Sequence, residues 1–170
     1  LEFRRVLFRS DVRGDVRAVT SAGYIEVDDV GGSAWLSTGG GDVEVSHVGS
    51  SLVASTAGGD IEADGIAGSI RVETRAGDVE LSGVRSMVRI LAEVGDVELD
   101  VENASFLVTG MIEIDVGHGD VELWLPRDTH ANLVANAQEG GAIDVDSDEL
   151  DVTVLRSWSE SREDRKSTRL

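Results

Sequence analysis

Apolar and polar residues alternate along most of the chain. In Gly41-Asp42-Val43-Glu44-Val45 the two valines fall on one side and Asp42 and Glu44 on the other, as in a strand with one buried face. Ala34 and Leu36 repeat the alternation on a second short segment. Gly31-Gly32-Ser33 and Gly39-Gly40 lie between the segments and permit turns. This unit of two strands and two turns recurs. Gly41-Asp42-Val43-Glu44, Gly59-Asp60-Ile61-Glu62, Gly77-Asp78-Val79-Glu80 and Gly95-Asp96-Val97-Glu98 follow one another at a spacing of 18 residues. Gly23-Tyr24-Ile25-Glu26 extends the series backwards. Gly119-Asp120-Val121-Glu122 follows after 24 residues and Gly141-Ala142-Ile143-Asp144 after a further 22.

Other positions keep the same phase. Val30, Val48, Ile66 and Val84 form one column, and Thr20, Thr38, Thr56 and Thr74 another. Ala34, Leu52, Ile70, Val88 and Phe106 form a third, and Leu36, Ala54, Val72, Ile90 and Val108 a fourth. A fixed period held in several columns predicts stacked coils, because no single repeat can cover its own apolar face. The expected fold is all-β: a β-solenoid, or single-stranded β-helix, of roughly seven 18-residue coils with two short strands per coil. Strands of successive coils should pair in parallel about 4.8 Å apart, giving a rod roughly 34 Å long. Three hexapeptides per coil do not fit, since steps of six from Val43 reach Gly49 and Ser55 and lose the aliphatic column. The wider spacing after Gly95 predicts a longer loop before the terminal coils.

The ends of the chain break the pattern. With one choice of codons, the reverse complement of the DNA from Ser10 back to Phe3 translates as Asp-Arg-Lys-Ser-Thr-Arg-Leu, the sequence of residues 164–170. The two ends therefore read as opposite strands of one segment, which resembles a sequencing adapter. Residues 1–10 and 164–170 are expected to be non-native scars, 11–157 the solenoid and 158–163 a polar tail. The insert is expected to be a fragment of a longer reading frame.

Charge narrows the partners. The chain has 15 Lys+Arg against 33 Asp+Glu, a net of −18. Six basic and two acidic residues lie in the two end segments, so residues 11–163 carry 9 basic and 31 acidic residues, a net of −22, and no lysine. Such a balance argues against nucleic acid and anionic membrane as partners and resembles proteins of salt-accumulating halophiles. No apolar run approaches the ~18 residues of a membrane span. With no cysteine, neither disulfides nor thiolate metal sites are available.

The stacked Gly-Asp-Val/Ile-Glu strands, the Gly/Ser turns and the late segment Gly119-Asp120-Val121-Glu122-Leu123-Trp124-Leu125-Pro126 resemble a bacterial and archaeal adhesin family of β-strand-repeat domains of unknown function. The resemblance covers roughly Val12 to Leu155. It implies a β-solenoid in an envelope-associated or extracellular protein, and it supplies no catalytic residues. The expected role is that of a non-enzymatic surface module, an adhesin or an interaction scaffold, with a protein or glycan partner. The alternatives are a polysaccharide-active β-helix enzyme and a cation-binding repeat domain.

The candidate chemistry is carboxylate chemistry. Asp42, Asp60, Asp78 and Asp96 form one column and Glu44, Glu62, Glu80 and Glu98 another, with Glu26 ahead of it. Like charges stacked this way repel, and a Ca²⁺ stripe would relieve the repulsion. Calcium wants six to eight oxygens, however, and a flat ladder offers few per ion. A solvated acidic face, with the Asp side chains bonded to turn amides, is the plainer reading. His47, His118 and His130 lack metal-ligand spacing and read as structural or exposed. Arg13-Gly14-Asp15 spells a cell-attachment tripeptide but reads as a turn in an Asp- and Gly-rich chain. The Thr column with Ser37 and Ser55 makes no regular ice-binding face, because Val19 and Glu73 interrupt it. Trp35 and Val53 are expected to point outward.

Overall fold

The computed structural model describes residues 6–8, 12–102, 111–126, 132–138 and 140–146. Among these, fifteen strands form two parallel sheets. Sheet A stacks β1 (Val6–Phe8), β3 (Ile25–Val30), β5 (Val43–Val48), β7 (Ile61–Ile66), β9 (Val79–Ser82), β11 (Val97–Asp100), β13 (Val121–Trp124) and β15 (Ile143–Asp146). Sheet B stacks β2 (Val16–Thr20), β4 (Ala34–Thr38), β6 (Leu52–Thr56), β8 (Ile70–Thr74), β10 (Val88–Val94), β12 (Met111–His118) and β14 (Asn132–Ala137). From β2 onward the chain alternates between the sheets, so each coil contributes one strand to each. The fold is a β-solenoid of about six turns.

The period-two pattern is what closes the coil. Each strand turns its aliphatic positions to the space between the sheets, and residues one coil apart pair in register. Ile25, Val43, Ile61, Val79, Val97 and Val121 make one continuous buried column. Val27, Val45, Ala63, Leu81, Leu99 and Leu123 make the next. Facing them from sheet B are Ala34, Leu52, Ile70, Val88 and Ile112. The interior is narrow, which suits Ala, Val, Leu and Ile and leaves no room for aromatic rings.

The glycine of Gly-Asp-Val/Ile-Glu has a steric cause. Gly77 has φ 133°, outside the range open to ordinary L-residues, and a Cβ placed there would stand 2.0 Å from the Gly59 carbonyl oxygen one coil away. Thr38, Thr56 and Thr74 of the Thr column point inward and are buried, while Thr20 at the first coil is only partly so, and the column therefore lies on the opposite face from Ser37 and Ser55. Thr38 and Thr56 donate to the carbonyls of Gly23 and Gly41, each at 3.0 Å, and tie the end of a sheet B strand to the entry of sheet A.

Two departures from the sequence pattern appear. The columns through Val88 and Ile90 continue into Ile112 and Ile114, not into Phe106 and Val108, which lie outside the described residues. The lengthened spacing is taken up between β11 and β12, so a strict count of 18 places the register too early. Second, Val6–Phe8, within the segment read as a scar, pairs with Ile25, Glu26 and Val27 as the outermost strand of sheet A.

One irregularity matters for chemistry. At the end of β3 two consecutive residues, Asp28 and Asp29, turn away from the core before Val30 returns to it. The strand bulges outward here without a change of register, since Asp28 stays opposite Ser46 and Val30 opposite Val48, and the residue between them takes the left-handed conformation. Asp29 has φ 53° and His47, in the same place one coil on, has φ 52°. Gly65 and Gly83 fill the position in the next two coils.

Candidate functional site

The aspartate column is tied up by the fold. The Asp60 amide donates to Asp42 Oδ1 at 3.0 Å, the Asp78 amide to Asp60 Oδ1 at 2.8 Å, and the Asp96 amide to Asp78 Oδ1 at 2.8 Å. The ladder runs on through Asp120 to the Ala142 amide. Each carboxylate thus serves the amide of the following coil, where turn chemistry alone suggests a bond within its own turn. Asp15 of the Arg13-Gly14-Asp15 tripeptide does the same at the other corner, accepting from the Ser33 amide at 2.8 Å.

Glu26, Glu44, Glu62, Glu80, Glu98, Glu122 and Asp144 stand in register on the outer face of sheet A. Tyr24 donates its hydroxyl to Glu44 at one end. In the neighbouring row serines separate the carboxylates: Ser46 donates to Asp28 at 2.6 Å and Ser82 to Asp64 at 2.8 Å. Among the described residues, no arginine lies on a strand of sheet A.

The bulge brings together residues that sequence spacing does not connect. His47 Nδ1 lies 3.5 Å from Asp28 Oδ1 and 3.8 Å from Asp29 Oδ1. One potential ligand atom from each of the three residues falls within 4.8 Å of the others. The Ser46 hydroxyl holds the Asp28 carboxyl below its usual range, and His47 adds to the effect. The signal missed in the sequence is the pair of consecutive acidic residues ending an alternating strand, with histidine 18 residues after the second.

Sheet B presents a different surface. Its outer rows run Arg17, Trp35, Val53, Arg71, Arg89, Glu113 and Val19, Ser37, Ser55, Glu73, Leu91, Asp115. The Arg17 guanidinium stacks on Trp35, 4.1 Å from the ring centroid, a favourable cation–π contact. Arg71 pairs with Glu73 and Arg89 with Glu113. Of the six large apolar side chains exposed among the described residues, Val19, Trp35, Val94 and Met111 lie on sheet B strands and Met87 directly precedes one. Trp35 and Val53 therefore point outward, as the alternation predicts. Where these strands turn towards sheet A, a shallow groove of about 510 Å³ crosses the coils, lined by Ser37, Ser55, Glu73, Arg75, Asp115 and Gln138 among others.

A family model described as Toastrack DUF4097 matches residues 11–166 of the chain. No curated protein matches, and no solved structure does either.

Proposed function

The chain belongs to the Toastrack DUF4097 family, an uncharacterised family, and from that premise we propose a non-enzymatic interaction scaffold, an adhesin-type module of the cell envelope or cell surface, that meets a protein partner through the outer face of sheet B. The observation that carries this reading is the separation of the two faces. Protein interfaces are enriched in Trp, Met and Arg and depleted in Asp and Glu. Sheet B displays Trp35, Met111, Arg17, Arg71 and Arg89 in rows where Glu73 and Glu113 are paired with arginines, while sheet A displays a carboxylate row along its length and one exposed tryptophan, Trp124, near its end. The acidic face would keep the rod soluble and turn anionic surfaces away. The non-enzymatic reading draws on the ladder arrangement, since acid–base catalysis needs carboxylates set apart by their environments and ladder neighbours share one environment.

The groove supports a second reading, a glycan lying across the coils. Its hydroxyl, carboxylate and amide lining is of the kind that bonds sugar hydroxyls.

Retention of the purified chain on bacterial and archaeal envelope preparations tests the proposal. Replacing Trp35 and Arg71 together by Ala should lower retention about tenfold, as loss of interface anchors does. Replacing Glu62 and Glu80 by Gln should leave it unchanged. The reverse outcome would move the interface to sheet A and overturn the reading.

A further inference from the structure

We propose that Asp28, Asp29 and His47 form a binding site for one divalent transition-metal ion of the zinc, cobalt and nickel class. Carboxylates on a surface do not by themselves choose an ion. Here an imidazole nitrogen from the neighbouring coil completes the set, and a mixed nitrogen and oxygen set suits borderline first-row metals better than calcium, which takes oxygen alone.

The backbone assembles this set before any ion arrives. An ordinary strand sends consecutive side chains to opposite faces. The bulge at the end of β3 puts Asp28 and Asp29 on the same one, and in-register stacking sets the bulge residue of β5, His47, beside them. Three atoms no more than 4.8 Å apart, with His47 Nδ1 at 3.5 and 3.8 Å from the two carboxylate oxygens, surround a point about 2.4 Å or less from each. Metal–ligand bonds to imidazole and carboxylate are about 2.0–2.2 Å, so a few tenths of an ångström of side-chain movement closes the site. Ser46 orients Asp28 from behind, the kind of outer bond that fixes a ligating carboxylate. On the far side the imidazole runs past Gly65, where a Cβ would stand 3.4 Å from the ring Cδ2. The arrangement occurs at this point of the rod and is not continued, because the bulge position in the next two coils is Gly65 and Gly83.

Cobalt(II) titration of the untagged full chain, followed by visible absorption and calorimetry, tests the site. The expected result is one equivalent bound, with zinc displacing it and equimolar calcium leaving it in place. His47→Gly gives this coil the residue that the next two coils carry, so the variant keeps the fold. It should bind cobalt at least about tenfold more weakly, with an unchanged circular dichroism spectrum. Asp29→Asn, which tolerates the same backbone conformation, should weaken binding similarly. Absence of stoichiometric binding by the unmodified chain overturns the proposal. So does binding that survives His47→Gly or yields to equimolar calcium, since either result would place the ion on the carboxylate rows.

Discussion

Each letter of Gly-Asp-Val/Ile-Glu has its own physical task. Glycine admits a positive φ against the carbonyl of the preceding coil, aspartate accepts an amide of the next, the aliphatic residue fills the interior, and glutamate meets water. These tasks make different predictions. Gly77→Ala meets both a disfavoured backbone conformation and a clash with Gly59, and should cost about 2–4 kcal/mol in denaturant melts. Asp78→Ala leaves the Asp96 amide to water in place of a carboxylate and should cost about 1 kcal/mol. Asp78→Asn keeps an acceptor oxygen in place and should cost much less. A cation stripe would rank the two differently: with the charge as the essential feature, Asn would be as harmful as Ala.

At the scale of the strand, the alternation determines which residues are inside, and it was readable because the period of two and the period of 18 residues reinforce each other. Ile61 is wholly buried in its column. Ile61→Asp should cost about 4 kcal/mol or more, measured as a loss of melting temperature or of folded protein, since the charge enters a space without a partner. The pattern stops being readable where the period changes. Phe106 and Val108 satisfy the count of 18, yet β10 pairs with Ile112 and Ile114. An insertion leaves the pairing of the flanking strands intact and destroys only the arithmetic. The bulge cluster was hidden for a related reason. Spacing rules for metal ligands describe residues on one helix or one loop, whereas Asp28, Asp29 and His47 meet because successive coils stack. The Thr column was correctly found as a column, but its facing required the strand phase relative to Ser37 and Ser55.

For the whole molecule, the carboxylate rows set the response to salt. Stacked like charges a few ångströms apart oppose the compact state. The screening length falls from ~10 Å at 0.1 M to ~3 Å at 1 M salt, so only molar salt screens neighbours in a row whose strands are about 4.8 Å apart. Thermal melts in NaCl and KCl should show a rising midpoint up to the molar range. Because the Asp column is already bonded to amides, calcium at millimolar concentration against a monovalent background should add little. A saturating rise with calcium would instead reveal specific sites on the glutamate row. A flat response to both salts would reduce the acidity to a solubility feature.

The stacking also bears on how such a chain finds its fold. β-Sheet proteins usually fold slowly because their strands pair across long stretches of sequence. Here Val43 pairs with Ile61 and Val97 with Val121, so the pairing distance is one coil throughout. Divided by a length of 170 residues, that gives a relative contact order of about 0.1, in the range of helical bundles. Folding can then start at any adjacent pair of coils and spread in both directions, as in other linear repeats. It follows that a coil is a removable part. Deleting residues 60–77 joins Gly59 to Asp78 and restores the same motif. The shortened chain should fold cooperatively at a similar rate in stopped-flow refolding, with a lower midpoint that reflects one lost interface.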